Sequence, residues 1–111
     1  MGIATEELPG GITKVNLDGS LDIAGAAAID LRMNVLAGAS KSMMVDLQKV
    51  TFIGSMGLRA LIAPARAMLS RGGKMVLFGP NEMVEQVLKT SGIDTMIPIH
   101  HDLQTAIDAL H

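Results

Sequence analysis

Met43-Met44-Val45-Asp46-Leu47 is an apolar run with one charge, the pattern of a strand covered on both faces. Val50-Thr51-Phe52-Ile53 continues from it into a loop that spans Phe52 to Leu58. Beyond the loop the period changes. Leu58, Leu61, Ile62, Ala65, Met68 and Leu69 fall at i, i+3, i+4, i+7, i+10 and i+11, which is one apolar stripe on a helix. Arg59, Ala63, Arg66 and Ser70 fall on the other side. Pro64 sits inside this pattern and removes a backbone donor, at a cost of about 3 kcal/mol in a helix interior. The stripe runs across it, so the expectation is one kinked helix and not two. A buried strand that passes through a short loop into an amphipathic helix is half of a parallel crossover.

The same alternation extends outward in both directions. Upstream, Ile3 to Leu8 and Ile12 to Leu17 read as strands joined by Pro9-Gly10-Gly11, a hairpin connection. Asp18-Gly19-Ser20 closes the second strand. Leu21-Asp22 leads into an Ala-rich helix over 23–37, in which Ala27, Leu31 and Val35 share a face. Downstream, Gly72-Gly73 ends the central helix and Met75 to Phe78 is a continuous apolar strand. Asn81 caps a third helix marked by Val84, Val87 and Leu88 and closed by Gly92. Met96 to Ile99 is a short strand, placed at an edge by Pro98. Asp102 caps a last helix with Leu103, Ala106, Ile107 and Leu110 facing inward. The expected order is β-β-α-β-α-β-α-β-α: an α/β protein with a mixed, mostly parallel sheet packed against about four helices. No linker or repeat divides the chain, so residues 1–111 read as a single domain.

Composition removes several classes of function. Nearly half of the 111 residues are apolar, enough for a core. The net charge is −2, and Phe52 and Phe78 are the only aromatic residues, so neither a basic patch nor stacking side chains favour nucleic acid. Without cysteine there are no disulfides, thiol nucleophiles or thiolate zinc sites, which fits a reducing cytoplasm. The first residues carry early acids and no basic-then-apolar leader. The longest apolar run, Ile23 to Ile29, is too short for membrane insertion. His100 and His101 are neighbours whose rings point apart on a strand, so no metal site is expected. No nucleophile, base and orienting group assemble by spacing, so no catalytic residue and no cofactor are assigned.

The loop Phe52-Ile53-Gly54-Ser55-Met56-Gly57-Leu58 is the most informative stretch. It places a hydroxyl, Ser55, at a strand-to-helix junction, where unpaired amides favour negative charge. The plain role of Ser55 there is helix N-cap, worth about 0.5–2 kcal/mol. Asp22 has the same plain role for the first helix. Arg59 is expected exposed beside Ser55, and Asp46 is expected to accept backbone hydrogen bonds near the loop.

Several segments together resemble the STAS domain family (sulfate transporter and anti-sigma antagonist), and within it the free-standing bacterial anti-sigma factor antagonists. Gly19-Ser20-Leu21-Asp22 is similar to the family's G-x-L-D signature. Val45 to Ile53 followed by Gly54-Ser55-Met56-Gly57-Leu58 resembles its D-L-S-x-V-x-F-I-D-S-S-G-L segment. Ser91-Gly92-Ile93-Asp94 resembles the end of the family's penultimate helix. Two positions depart from the pattern: Gly54 replaces the usual acid and Met56 the usual small residue.

The resemblance implies a role in protein binding. It makes Ser55 the phosphoacceptor of an anti-sigma factor that is also a serine kinase. The unphosphorylated chain would bind that partner, and a phosphatase would reset the phosphorylated form. A phosphate brings about −1.5 to −2 charges, which a helix start tolerates and a flat partner surface does not. The expected partner surface comprises Ser20, Asp22, Gly54, Met56, Gly57, Arg59, Ala63 and Arg66. ATP, if used, belongs to the kinase. Two other functions fit the same residues: a STAS adaptor subunit of a transport or stress-signalling complex in which Ser55 is only a cap, and a small-ligand or nucleotide sensor.

Overall fold

A computed structural model describes all residues from Met1 to His111. The first two strands, β1 (Gly2–Leu8) and β2 (Ile12–Leu21), form an antiparallel hairpin. Helix α1 (Ile23–Ala39) follows, then β3 (Ser42–Ile53), α2 (Ser55–Ser70), β4 (Lys74–Phe78), α3 (Glu82–Ser91), a short 3-10 turn at Ile93–Thr95, β5 (Ile99–His100) and α4 (Leu103–Ala109). The sheet has five strands in the order β1-β2-β3-β4-β5, parallel from β2 onward. The expected order of elements and the mixed sheet are what the structure contains.

Alternation along the strands sends side chains to two layers. Val15, Leu17, Met43, Val45, Leu47, Met75 and Leu77 meet Ile29, Met33, Leu61, Met68, Val84 and Leu88 of α1, α2 and α3 in the larger core. The intervening Ile12, Met44, Val76 and Phe78 meet Ala106 and Leu110 of α4 on the opposite face. Each fully buried Leu or Ile in these layers contributes about 1.5–3 kcal/mol. α4 covers only one end of that second face. The rest is polar, with Lys14 bridging Glu6 at 3.2 Å and Asp46 at 3.0 Å. Burial pulls the Lys14 ammonium down, but its hydrogen bonds to Asp46 and Glu6 outweigh this and hold it above the ordinary lysine value.

Several elements differ from the sequence reading. β3 does not give way to a loop at Phe52 but runs through Ile53, because β2 pairs along its whole length: Ser20 lies opposite Phe52 and Leu21 opposite Ile53. β2 likewise continues past Asp18 to Leu21, with register irregularities at Asn16–Asp18 and Gly19–Ser20. The edge strand is Ile99–His100, so it overlaps the expected Met96–Ile99 only at Ile99 and begins just after Pro98. Leu69 and Leu103 end the apolar stripes of their helices in solvent. α2 is one unbroken helix with Pro64 buried inside it.

The largest correction concerns α1. The face shared by Ala27, Leu31 and Val35 points outward, with Leu31 78% and Val35 62% exposed. The buried ridge is Gly25, Ile29, Met33 and Ala37, with Ala26 beside it. Gly25 makes the choice. A Cβ there would lie 2.0 Å from the Ser20 carbonyl oxygen, so only a glycine can face the end of β2, and every fourth residue after it is committed to the core.

The equivalent contact on α2 is Gly57, whose Cβ would stand 2.5 Å from the Leu21 carbonyl oxygen and 2.8 Å from Leu21 Cβ. Neither neighbour is the flexible end of a side chain. Gly57→Ala should therefore destabilise the fold by about 2–3 kcal/mol, whereas an alanine at Gly38, which meets nothing within 4 Å, should not. Urea unfolding of the two variants measures the difference.

Candidate functional site

The end of β2 brings the starts of α1 and α2 side by side. The Gly54 amide donates to the Leu21 carbonyl at 3.1 Å, which ties the β3–α2 junction to the β2–α1 junction. At the α1 start, Asp22 Oδ1 accepts from the Gly25 amide at 2.7 Å, so Asp22 is the cap its position implied. At the α2 start the expectation fails. Gly54, not Ser55, occupies the cap position, with no side-chain bond to the helix. The first helical hydrogen bond runs from the Leu58 amide to the Gly54 carbonyl at 3.0 Å. Ser55 is thus the first residue inside the helix, exposed, and its hydroxyl bonds to no other residue.

The two helix starts differ electrostatically. α1 has a carboxylate on its first turn of amides, while α2 has no acidic residue in its first turn. The amides of Ser55, Met56 and Gly57 lack intrahelical acceptors, and the positive end of the α2 dipole is uncompensated.

Beside Ser55 lies a groove of about 460 Å³ between the two helices. Ile23, Ala27 and Asp30 of α1 line one wall, and Met56, Arg59 and Ala63 of α2 the other. Ile23 is 75% exposed and Met56 40% exposed, so the rim carries two unpartnered apolar side chains. Of the residues singled out in the sequence, Met56, Arg59 and Ala63 line it, and Ser55 directly precedes Met56 at the start of α2. Arg66 is exposed farther along α2 and does not line the groove. Ser20 is half-buried on β2 opposite Phe52. Gly57 is buried against Leu21 and offers no surface to a partner. The α1 wall was missed in the sequence, although the outward repeat of Ala27, Leu31 and Val35 was its signal.

Other candidate groups lie elsewhere. Asp46 is mid-strand, not at the loop, and follows Met44 on the α4 side of the sheet. Its carboxylate accepts from the Gln48 amide at 2.8 Å and from Gln48 Nε2 at 3.0 Å. His101 Nε2 is 2.8 Å from Glu85 Oε1, while His100 lies in β5. No group of three or more His, Asp or Glu side chains is placed to hold a metal ion, and no helix is long and apolar enough to cross a membrane.

The sequence model of the STAS domain matches residues 4–106. The chain belongs to the STAS domain family. An anti-sigma factor antagonist from Mycobacterium paratuberculosis has the same fold, with a TM-score of 0.84 at 23% identity over 98% of this chain and 94% of that one. A STAS domain protein from Planctomyces limnophilus gives 0.86 at 20% identity over 98% and 97%. The Bacillus protein SpoIIAA in its phosphorylated form gives 0.74 at 19% identity over 99% and 100%. At these identities the likeness is one of fold. No curated protein matches the sequence. In this STAS domain, the loop that resembles the family's serine segment is the one that opens α2.

The geometry separates the two helix starts in stability. Asp22→Ala removes a formed cap and should cost about 1 kcal/mol, while Ser55→Ala removes no intramolecular bond and should change stability by less than about 0.5 kcal/mol. Thermal unfolding of both variants checks this.

Proposed function

We propose that this chain is an anti-sigma factor antagonist, a single STAS domain over residues 1–111 acting in the cytoplasm. Unphosphorylated, it binds an anti-sigma factor that is also a serine kinase. Phosphorylation of Ser55 releases that partner, and a phosphatase restores the binding form. The chain supplies only the acceptor hydroxyl. The kinase supplies ATP and the catalytic groups, so the chain is not itself an enzyme.

The observation that carries this reading is the state of Ser55. It is exposed and its hydroxyl unbonded, at a helix start without an acid, next to Met56, which lines the groove together with Ile23. A serine serving only as a cap would spend its oxygen on the helix amides. The partner surface runs from Ser20, Asp22 and Gly54 across Met56, Arg59 and Ala63 to Arg66. Structures of SpoIIAA, an anti-sigma factor antagonist of the same fold, exist in unphosphorylated and phosphorylated forms, which lends support.

The energetics are sufficient. A hundredfold loss of affinity corresponds to about 2.7 kcal/mol. A phosphate enclosed under an apolar partner loses its hydration at a cost of at least that order. On the free domain the same group stays in water beside the positive end of α2.

A paired pull-down from cells of the native source, with wild type and Ser55→Asp as baits, tests the switch. Phosphopeptide mapping of the wild-type bait accompanies it. The expected result is a kinase-like partner retained by wild type and lost with Ser55→Asp, together with a phosphopeptide containing Ser55. Identical partners on both baits without such a phosphopeptide would instead make the chain a constitutive STAS adaptor, the reading that the absent acid at Gly54 favours.

A further inference from the structure

Ser55 and Arg59 are four residues apart on α2, so their side chains share one face of its first turn. Both are exposed. The ion pairs of the structure engage Lys14, Lys89 and His101, which leaves the Arg59 guanidinium without a carboxylate. α2 contains no acidic residue from Ser55 to Ser70. Asp30, on the opposite wall of the groove, is beyond ion-pair distance of Arg59 and reaches only Asn34, at 3.5 Å. A cation with no partner of its own therefore overhangs the groove one turn from the hydroxyl.

We propose that a phosphate on Ser55 is captured by Arg59, and that this capture withdraws from the groove the cation that meets an acidic group of the partner. The inference rests on Ser55 being the phosphoacceptor. It adds to electrostatic exclusion a second effect, the loss of a binding residue. An anion four residues N-terminal to a cation is the favoured order on a helix. A guanidinium fork matches two phosphate oxygens at once, and the bare amides of the first turn favour the same charge. The partner that fits the unmodified groove is apolar where it covers Ile23 and Met56 and acidic where it meets Arg59.

Arg66 provides an internal control. It is exposed and unpaired on the same helix, but seven residues beyond Arg59. It lies about 16 Å from Ser55 along the helix axis, more than a Debye length at physiological salt.

The test is a ³¹P NMR titration of the full chain with phosphoserine installed at position 55 during translation, in wild type, Arg59→Gln, Arg59→Lys and Arg66→Gln. A free phosphoserine loses its second proton near pH 6, and a bound cation lowers that midpoint by favouring the dianion. Arg59→Gln should raise it by about 0.3–0.5 pH units, a two- to threefold change in acid constant. Arg66→Gln should follow wild type, and Arg59→Lys should lie closer to wild type than Arg59→Gln. Superimposed curves for wild type and Arg59→Gln would overturn the capture. So would an equal shift from Arg66→Gln, which would mark a diffuse field and not a pairing. Because translation installs the phosphate, such a failure would remove the capture alone. The Ser55 switch stands or falls separately, on the pull-down.

Discussion

The carbonyl of Leu21 sets the geometry of this molecule's functional end. It accepts the Gly54 amide at 3.1 Å, and Gly57 packs against it with no room for a methyl group. Through that atom the last residue of β2, the exit of β3 and the first turn of α2 are fixed together. Gly25 makes the matching approach to Ser20 from α1. Two helices can start this close to one strand end only because both present a glycine there. Their side-by-side starts then create the groove and the exposed serine beside it.

Once the helices are placed, their chemistry diverges. Asp22 satisfies the first turn of α1 and neutralises its positive end. α2 has Gly54 at the same position, so its amides and dipole remain available. Gly54, one of the two departures from the family pattern, thus leaves this helix start uncompensated. The opposite side of the sheet is spent differently, on a Lys14–Asp46–Glu6 network to which strand alternation assigns Asp46.

Packing around the groove is made from small residues. Ala26, Ala27, Ala60 and Ala63 let α1 and α2 approach while leaving a shallow channel between them. Larger residues there would fill it. The exposed Ile23 and Met56 border this groove, and Leu31 and Val35 continue the outward apolar face of α1.

Much of this was legible in the sequence, and what was missed has a common cause. Strand and helix periods differ, so β3, α2, β4 and α3 could be read from the spacing of Met43 to Leu47, Leu58 to Met68, Met75 to Phe78, and Val84 with Leu88. Caps act within four residues, so Asp22, Asn81 and Asp102 were also legible. α1 was not. It is apolar on almost every side, so periodicity could not choose between the Leu31 ridge and the Met33 ridge. That choice was made by Gly25 meeting Ser20, a contact between elements. The capping of α2 was likewise settled at a distance, by β2 pairing with β3 to its very end and holding Gly54 against Leu21. The sequence by itself determined the order of elements, the family and the serine at the helix start. Only the tertiary structure decided which face of α1 met solvent, and so where the groove lay, because that depended on close approaches between residues that local pattern does not relate.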